Sequence, residues 1–250
     1  KIFGFTVNST TGALTDIAGS PFDLAAPSPG PAQPDISEPT LHPSGAFNYL
    51  AIRGPAAKLY GTTINSLTGV LTQTPGTPYD VGFEPGSTMP FDATAKILFV
   101  ATNSAPNVTG GEIRTYAFNV GVLSEIQRFP TLGDRPMMPF LTPGENFMLV
   151  PNAGSSSLMV FAVDKSAGVP TGALTPAMPM PNSTYATGPA GSNPFTILYN
   201  RRNDVLYVFN FGTSGPPPVT PPSIATPRMD RSTGLLTFVG TSPVSTAGAF

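Results

Sequence analysis

The chain has no cysteine and a single histidine, His42. Disulfides and thiolate metal sites are therefore excluded. Charge is also scarce, with Asp, Glu, Lys and Arg at 10% of the 250 residues, where a globular domain carries roughly a quarter. Surface polarity must then come from Ser, Thr, Asn and exposed backbone. Twelve basic residues stand against 14 acidic ones, for a formal charge of −2 with no basic tract. That leaves no electrostatic footprint for nucleic acid. No segment reaches the run of about 18 apolar residues that a membrane-spanning helix requires. No Asp-rich loop has the spacing of a Ca²⁺ site, and no cofactor motif is present. The expectation is therefore no metal and no cofactor.

Proline and glycine are abundant, at 31 and 26 residues. Proline at this density works against long helices and favours short elements joined by turns. Apolar residues at 40% suffice for a continuous core. Within this composition one phrase recurs: Asn8-Ser9-Thr10-Thr11-Gly12-Ala13-Leu14-Thr15, then Asn65-Ser66-Leu67-Thr68-Gly69-Val70-Leu71-Thr72. It returns as Asn119-Val120-Gly121-Val122-Leu123-Ser124, as Thr171-Gly172-Ala173-Leu174-Thr175, and as Asp230-Arg231-Ser232-Thr233-Gly234-Leu235-Leu236-Thr237. The glycines are 57, 52, 51 and 62 residues apart. Such a period marks a repeat architecture.

Each repeat resolves into four short strands. A Pro-flanked first strand (Glu38–Pro43, Ser87–Asp92, Met137–Thr142, Asn193–Leu198) leads through a polar turn to a continuous apolar second strand. The second strands are Phe47–Ile52, Ile97–Val100, Phe147–Val150 and Val205–Phe209. A strand without alternation is one buried on both faces, as when sheets stack face to face. The third strands partly alternate (Ile2–Val7, Leu59–Ile64, Ile113–Phe118, Leu158–Val163), and the last is interrupted by Pro227. The recurring turn follows, its Asn or Asp placed to accept backbone hydrogen bonds and its Gly to supply positive φ. The fourth strands end at a proline, as suits an outer edge.

Four antiparallel strands repeated around a centre predict an all-β β-propeller. The alternative, an array of β-sandwiches, fits poorly because sandwich repeats run to about 100 residues. The reading is one propeller domain over residues 1–250: a half-blade at 1–22, then blades at 38–79, 87–130, 137–180 and 193–244. The first half-blade lacks strands one and two. Lys1 opens directly on a strand, so the start reads as a processed or truncated end. The ring is then completed either by further sequence or by strand addition from another chain.

The succession Thr-Gly-x-Leu-Thr, Ser-Pro-Phe and an apolar strand ending in Asn resembles one family. Gly19-Ser20-Pro21-Phe22 and Leu149-Val150-Pro151-Asn152 carry the likeness. The family is that of the 6-phosphogluconolactonase-like seven-bladed propellers, which includes fungal carboxymuconate lactonizing enzymes and many secreted bacterial proteins. The resemblance implies about 4.5 blades of seven, an extracellular or periplasmic location, and a site on the face carrying the loops between blades. Family enzymes place Pro-Arg-His at one first strand and Asn-Glu after the next second strand. Here Gly133-Asp134-Arg135-Pro136 supplies the arginine, the histidine is missing, and Ala153 follows Asn152 where the glutamate would stand.

The expected site face carries Asp23, Asp35, Glu38, Arg53, Asp80, Glu84, Glu112, Asp134 and Arg135. Arg135 and Glu112 are the candidate catalytic pair, with Glu112 or Asp134 alternatively a structural partner for Arg135. Arg53, Glu84, Asp134, Asn103 and Asn152 are candidate ligand contacts. Asn103, Asn152 and Asn210 recur after second strands, where asparagine more often satisfies local backbone. His42 falls in a turn on the opposite face. Sequons occur at Asn8, Asn107 and Asn182, and the Pro-rich segment 215–222 reads as an extended loop, either a spacer or a docking surface. The missing His and Glu favour a non-catalytic scaffold or interaction module. The alternative is a lactonase or lactonizing enzyme using Arg135 and a loop-face carboxylate.

Overall fold

The structure, a computed structural model, describes residues 1–23, 36–53, 57–103, 110–178, 183–213 and 219–242. All regular structure within them is β. Strands β1 (Phe5–Val7) and β2 (Leu14–Asp16) form a two-stranded sheet. The second sheet runs β3 (Thr40–Leu41), β4 (Phe47–Ile52), β5 (Lys58–Ile64) and β6 (Leu71–Gln73), with β7 (Tyr79–Asp80) also on β5. The third is β8 (Ile97–Asn103), β9 (Gly111–Asn119) and β10 (Val122–Pro130). The fourth runs β11 (Phe140–Leu141), β12 (Phe147–Asn152), β13 (Ser157–Ser166) and β14 (Val169–Pro176), with β15 (Thr184–Ala186) also on β13. The fifth is β16 (Pro194–Asn200), β17 (Val205–Asn210), β18 (Ser223–Met229) and β19 (Leu236–Ser242). Pairing is antiparallel throughout, as in propeller blades.

The second strands explain why the sheets stack. In β12, Phe147 and Leu149 join a core with Leu206 and Val208 of the fifth sheet. Met148 and Val150, on the other face, join Phe99 and Ala101 of the third. In β8 the division repeats, since Leu98 and Val100 turn to Tyr49 and Ala51 of the second sheet. A continuous apolar run is thus split residue by residue between two interfaces, which is the two-sided burial its sequence implies. Successive face-to-face interfaces exclude paired sandwiches.

The recurring phrase builds the turn between third and fourth strands. Asn8 Oδ1 accepts from the N–H groups of Thr10 (2.9 Å) and Thr11 (3.0 Å). Asn65 does the same for Leu67 and Thr68, both at 3.0 Å. Asp230 Oδ1 accepts from Ser232 (2.7 Å) and Thr233 (3.2 Å). Gly12, Gly69 and Gly234 take φ of +71°, +73° and +75°. The worn copies reverse more tightly, through Val120-Gly121 and Ala167-Gly168, where both central residues have positive φ. The Thr171-Gly172 phrase consequently lies inside β14 rather than at the reversal.

These glycines also seat one sheet on the next. A Cβ on Gly69 would come within 2.5 Å of Ile17, and one on Gly121 within 2.7 Å of the Phe47 ring. Gly172 meets Ile126 and Gly234 meets Phe147, both at 2.6 Å. Each of these partners belongs to the preceding sheet's segment of chain. Tyr49 reinforces the same contact, its hydroxyl donating to the Gly121 carbonyl at 2.8 Å from a fully buried position. Burial pushes the Tyr49 phenol well above its ordinary range.

Three details depart from the sequence reading. The expected first strand at Ser87–Asp92 reduces to a single bridge, Phe91 to Leu98. Pro90 has no N–H to extend it, and Asp92 draws the following turn onto its carboxylate through Lys96 and Ile97 N–H at 2.7 and 2.6 Å. Pro227 does not break its strand, because β18 absorbs it at a register shift between Ala225 and Pro227. Finally, β7 and β15 return to the third strand after the fourth has left it, so that edge is paired in two pieces.

Gly121→Ala is expected to lower the unfolding free energy by about 2–4 kcal/mol, from a left-handed penalty plus overpacking against Phe47. Gly12→Ala, at a site with nothing within 4 Å, is expected to cost only about 1–2 kcal/mol. Urea denaturation of the two variants checks this, and equal losses would mean that the seat on Phe47 yields freely.

Candidate functional site

In a propeller, the loop from a fourth strand to the next first strand shares a face with the loop from second to third strand. Three such inter-sheet loops end alike. Glu84 precedes Pro85, Arg135 precedes Pro136 and Asn193 precedes Pro194, with φ of +50°, +51° and +50°. A left-handed conformation for a non-glycine residue costs about 1–3 kcal/mol, and a following proline restricts it further. Three successive sheets therefore hold a polar side chain in the same enforced pose at the head of their inner strands. The repeated X-Pro pair was visible in the sequence, but Asn193 was not singled out from it.

Asn103, at the end of β8, joins two of these positions. Its Oδ1 accepts the Arg135 backbone N–H at 3.0 Å, and its Nδ2 donates to Glu84 Oε2 at 3.1 Å. One buried carboxamide thus fixes the Arg135 loop beside the Glu84 carboxylate. Arg135 is exposed, and its guanidinium has no hydrogen bond or ion pair among the described residues. The Arg135 carbonyl accepts Ala153 N–H at 2.9 Å, tying the loop to the end of β12 as well. On the fifth sheet, Phe195 and Phe211 stack with ring centroids 4.5 Å apart, and Phe211 is 60% exposed. An exposed aromatic surface at this end of the sheets is a second feature the sequence reading passed over.

The other expected site residues are placed differently. Glu112 does not pair with Arg135. Its Oε1 accepts from Arg114 Nε at 2.6 Å, with side-chain exposures of only 14% and 5%. Residues 112 and 114 share one face of β9, and Arg114 reaches the Asp80 carbonyl at 3.4 Å, so the pair is turned to the chain of the preceding sheet. Asp134 is not Arg135's partner either. Its Oδ1 accepts Gly110 N–H at 2.7 Å, which ties its loop to the residue before β9. Arg53 donates from Nε to the Pro85 carbonyl at 2.8 Å and from Nη2 to Ser87, clasping the start of the next sheet's inner segment. Asp80 pairs with Lys58.

Asn152 and Asn210 share a structural arrangement. Asn152 Nδ2 donates to the Thr131 carbonyl (3.3 Å) and to Ser157 Oγ (3.5 Å). Asn210 Nδ2 donates to the Thr187 carbonyl and Ser223 Oγ, both at 3.0 Å. Both are buried, so Asn103 alone of the three spans two loop-face candidates. His42 lies elsewhere, stacked on Phe118 at 4.0 Å, with its ring nitrogens engaged by Ser44 Oγ (2.8 Å) and the Ala95 carbonyl (2.9 Å). Asp35, Asn107, Asn182 and residues 214–218 of the Pro-rich loop lie outside the described residues. Among the described residues no cluster of three His, Asp or Glu side chains could hold a metal, and no helix is long and apolar enough to cross a membrane.

The arrangement matches solved propellers. A candidate 6-phosphogluconolactonase from Bacteroides uniformis superposes with a TM-score of 0.69 at 16% identity, covering 96% of this chain and 64% of that one. A protein from Lactobacillus plantarum matches with a TM-score of 0.64 at 18% identity, covering 99% and 64%. The periplasmic gluconolactonase of Pseudomonas aeruginosa matches with a TM-score of 0.55 at 14% identity, covering 96% and 78%. The chain therefore has the β-propeller fold of the lactonase-like proteins, and it spans just under two thirds of the length of the first and second of these. No protein-family model matches the sequence, and no curated protein does.

Removing one partner of a buried ion pair leaves the other uncompensated. Glu112→Gln and Arg114→Leu are each expected to destabilise the fold, the latter by about 3 kcal/mol, measurable by thermal or urea unfolding. A Glu112→Gln variant that keeps full stability but loses activity would return Glu112 to the candidate site.

Proposed function

We propose that this propeller binds a small sugar-acid lactone on the face carrying Glu84, Asn103 and Arg135, and hydrolyses it. The observation that carries the reading is the exposed Arg135 guanidinium, free of partners among the described residues, on a residue whose backbone N–H is bonded by the same Asn103 carboxamide that holds the Glu84 carboxylate. An arginine in this state suits a carboxylate, a phosphate or the oxyanion of an attacked ester. Glu84 takes a proton from water as the water oxygen attacks the lactone carbonyl carbon. The ring C–O bond then breaks and the proton passes to the departing oxygen, giving the open hydroxy acid. The Phe195–Phe211 surface supplies an apolar wall for the ring. The names of the neighbouring structures, candidate 6-phosphogluconolactonase and gluconolactonase, support lactone chemistry over a purely structural module. A non-catalytic binding module would keep the Arg135 contact without turnover.

The periplasmic neighbour supports a location outside the cytoplasm. There the Asn8 sequon, exposed in its turn, would be accessible. We further infer a seven-bladed ring, completed across the outer faces of the first and last sheets. Phe3, Val7 and Leu14 on the first are 62–65% exposed, and Leu198 and Val239 on the last are 59% and 65% exposed. Exposed apolar surface of this kind marks an interaction face.

The purified chain is expected to accelerate opening of glucono-δ-lactone or its 6-phosphate in a pH-stat assay. Arg135→Ala should lower kcat/KM by about ten- to a hundredfold, the worth of a charge-assisted hydrogen bond, and Glu84→Gln should lower kcat. Saturable lactone binding without turnover would instead establish the non-catalytic module. Sedimentation velocity tests the open faces. A concentration-dependent dimer or larger species, weakened by Leu198→Lys, is expected, and a strict monomer would remove self-association.

A further inference from the structure

Between the fourth and fifth sheets, at the end opposite Arg135, lies a cavity of about 420 Å³. It is walled by the turns after two inner strands, 142–146 and 200–204, and by the end of β18. Its size falls within the roughly 300–1,000 Å³ of small-molecule sites. Phe147, Tyr199 and Met229 give it an apolar floor, and Arg201 and Arg231 stand at its edge.

The charged side chains that line the cavity, Arg201 and Arg231, are both basic although the chain as a whole is slightly acidic. Lys165 braces two of the wall residues, donating to the Gly144 carbonyl (2.6 Å) and Asn146 Oδ1 (3.0 Å). The nearby carboxylates are mostly committed elsewhere. Glu145 accepts Ala93 N–H of the third sheet. Asp164 accepts from Thr171 Oγ1 at 2.8 Å, and Asp230 caps its own turn. The Asp204 carboxylate is shared by two lining residues, accepting from Tyr199 Oη at 2.6 Å and from Arg231 Nε. Those two hydrogen bonds hold its carboxyl below the ordinary range, so it stays ionised and fixes Arg231. Arg201 is exposed, and its guanidinium has no hydrogen bond or ion pair among the described residues. It contributes only its carbonyl, which accepts from Arg231 Nη2.

We propose that this cleft is a second ligand site, for a small organic anion carrying a carboxylate or phosphate on a body no larger than a hexose. Arg201 takes the anionic group, because its guanidinium is available and the neighbouring Arg231 is already oriented by Asp204. Phe147, Tyr199 and Met229 take the less polar face of the body. The site is separate from the lactone face, since the turns after inner strands and the loops before them lie at opposite ends of the sheets. It stands whether or not the lactone reading does.

The test is a titration of the ¹⁵N-labelled 250-residue chain with inorganic phosphate, gluconate and 6-phosphogluconate, followed by amide shifts. Saturable shifts at Gly144, Asn146, Arg201 and Arg231 are expected, tighter for the organic anions than for phosphate and weakened by salt. Arg201→Ala should weaken binding about tenfold or more with an unchanged melting temperature, because nothing in the fold rests on its guanidinium. Arg135→Ala should leave these shifts as they are. Absence of saturation at these amides, shifts confined to Glu84, Asn103 and Arg135, or an Arg201→Ala variant of equal affinity would each overturn the proposal.

Discussion

Everything in this molecule depends on apolar strands that are buried on both faces. Each second strand sends alternate side chains into two different interfaces, as β12 does with Phe147 and Leu149 on one side and Met148 and Val150 on the other. No single sheet here is a stable unit, because half of its apolar side chains find partners only in the next sheet. Hydrogen bonds order the strands within a sheet and tie neighbouring sheets at points such as Tyr49 to Gly121, but the packing of sheet face on sheet face is mainly hydrophobic. That is consistent with a chain in which only 10% of residues are charged.

The turn glycines serve that same constraint. Gly69, Gly121 and Gly234 permit the left-handed turn and also leave room where a Cβ would strike Ile17, Phe47 or Phe147 of the preceding sheet, as Gly172 does against Ile126 from inside β14. The hairpin tip is therefore a spacer gauge as well as a reversal. Gly12 and Gly168 are also turn glycines and meet no such neighbour, so the close approach belongs to particular turns and not to the turn conformation itself.

The same stacking creates both proposed ligand sites. At one end of the sheets, the chain crosses from an outer strand to the next inner strand and must turn sharply before a proline. This crossing puts Glu84, Arg135 and Asn193 in equivalent strained positions. At the other end, the tight turns of adjacent sheets diverge and leave the cleft lined by Tyr199 and Arg201. Where one sheet packs on the next the side chains are mostly apolar, so both proposed sites lie at the ends of the sheets. The Arg114–Glu112 pair is the exception, a charged pair taken into an interface between sheets and so held for structure.

Strand order and the propeller class were legible in the sequence because burial on both faces leaves a one-dimensional mark, the unbroken apolar run at a period near fifty residues. The turn chemistry was legible for a similar reason, since Asn8, Asn65 and Asp230 bond to N–H groups only two and three residues away. Pairings across loops left no such mark. The sequence placed Glu112, Asp134 and Arg135 on one face but could not show that Asp134 is spent on Gly110, 24 residues away. Nor could it show that Asn103 alone, of three similar asparagines, bridges Glu84 to Arg135. Local hydrogen bonds and periodic burial are written in neighbouring residues, and so the chain itself determined them. Which charge faces which partner depends on side chains 20 or 30 residues apart meeting across stacked sheets, and only the tertiary structure decided that.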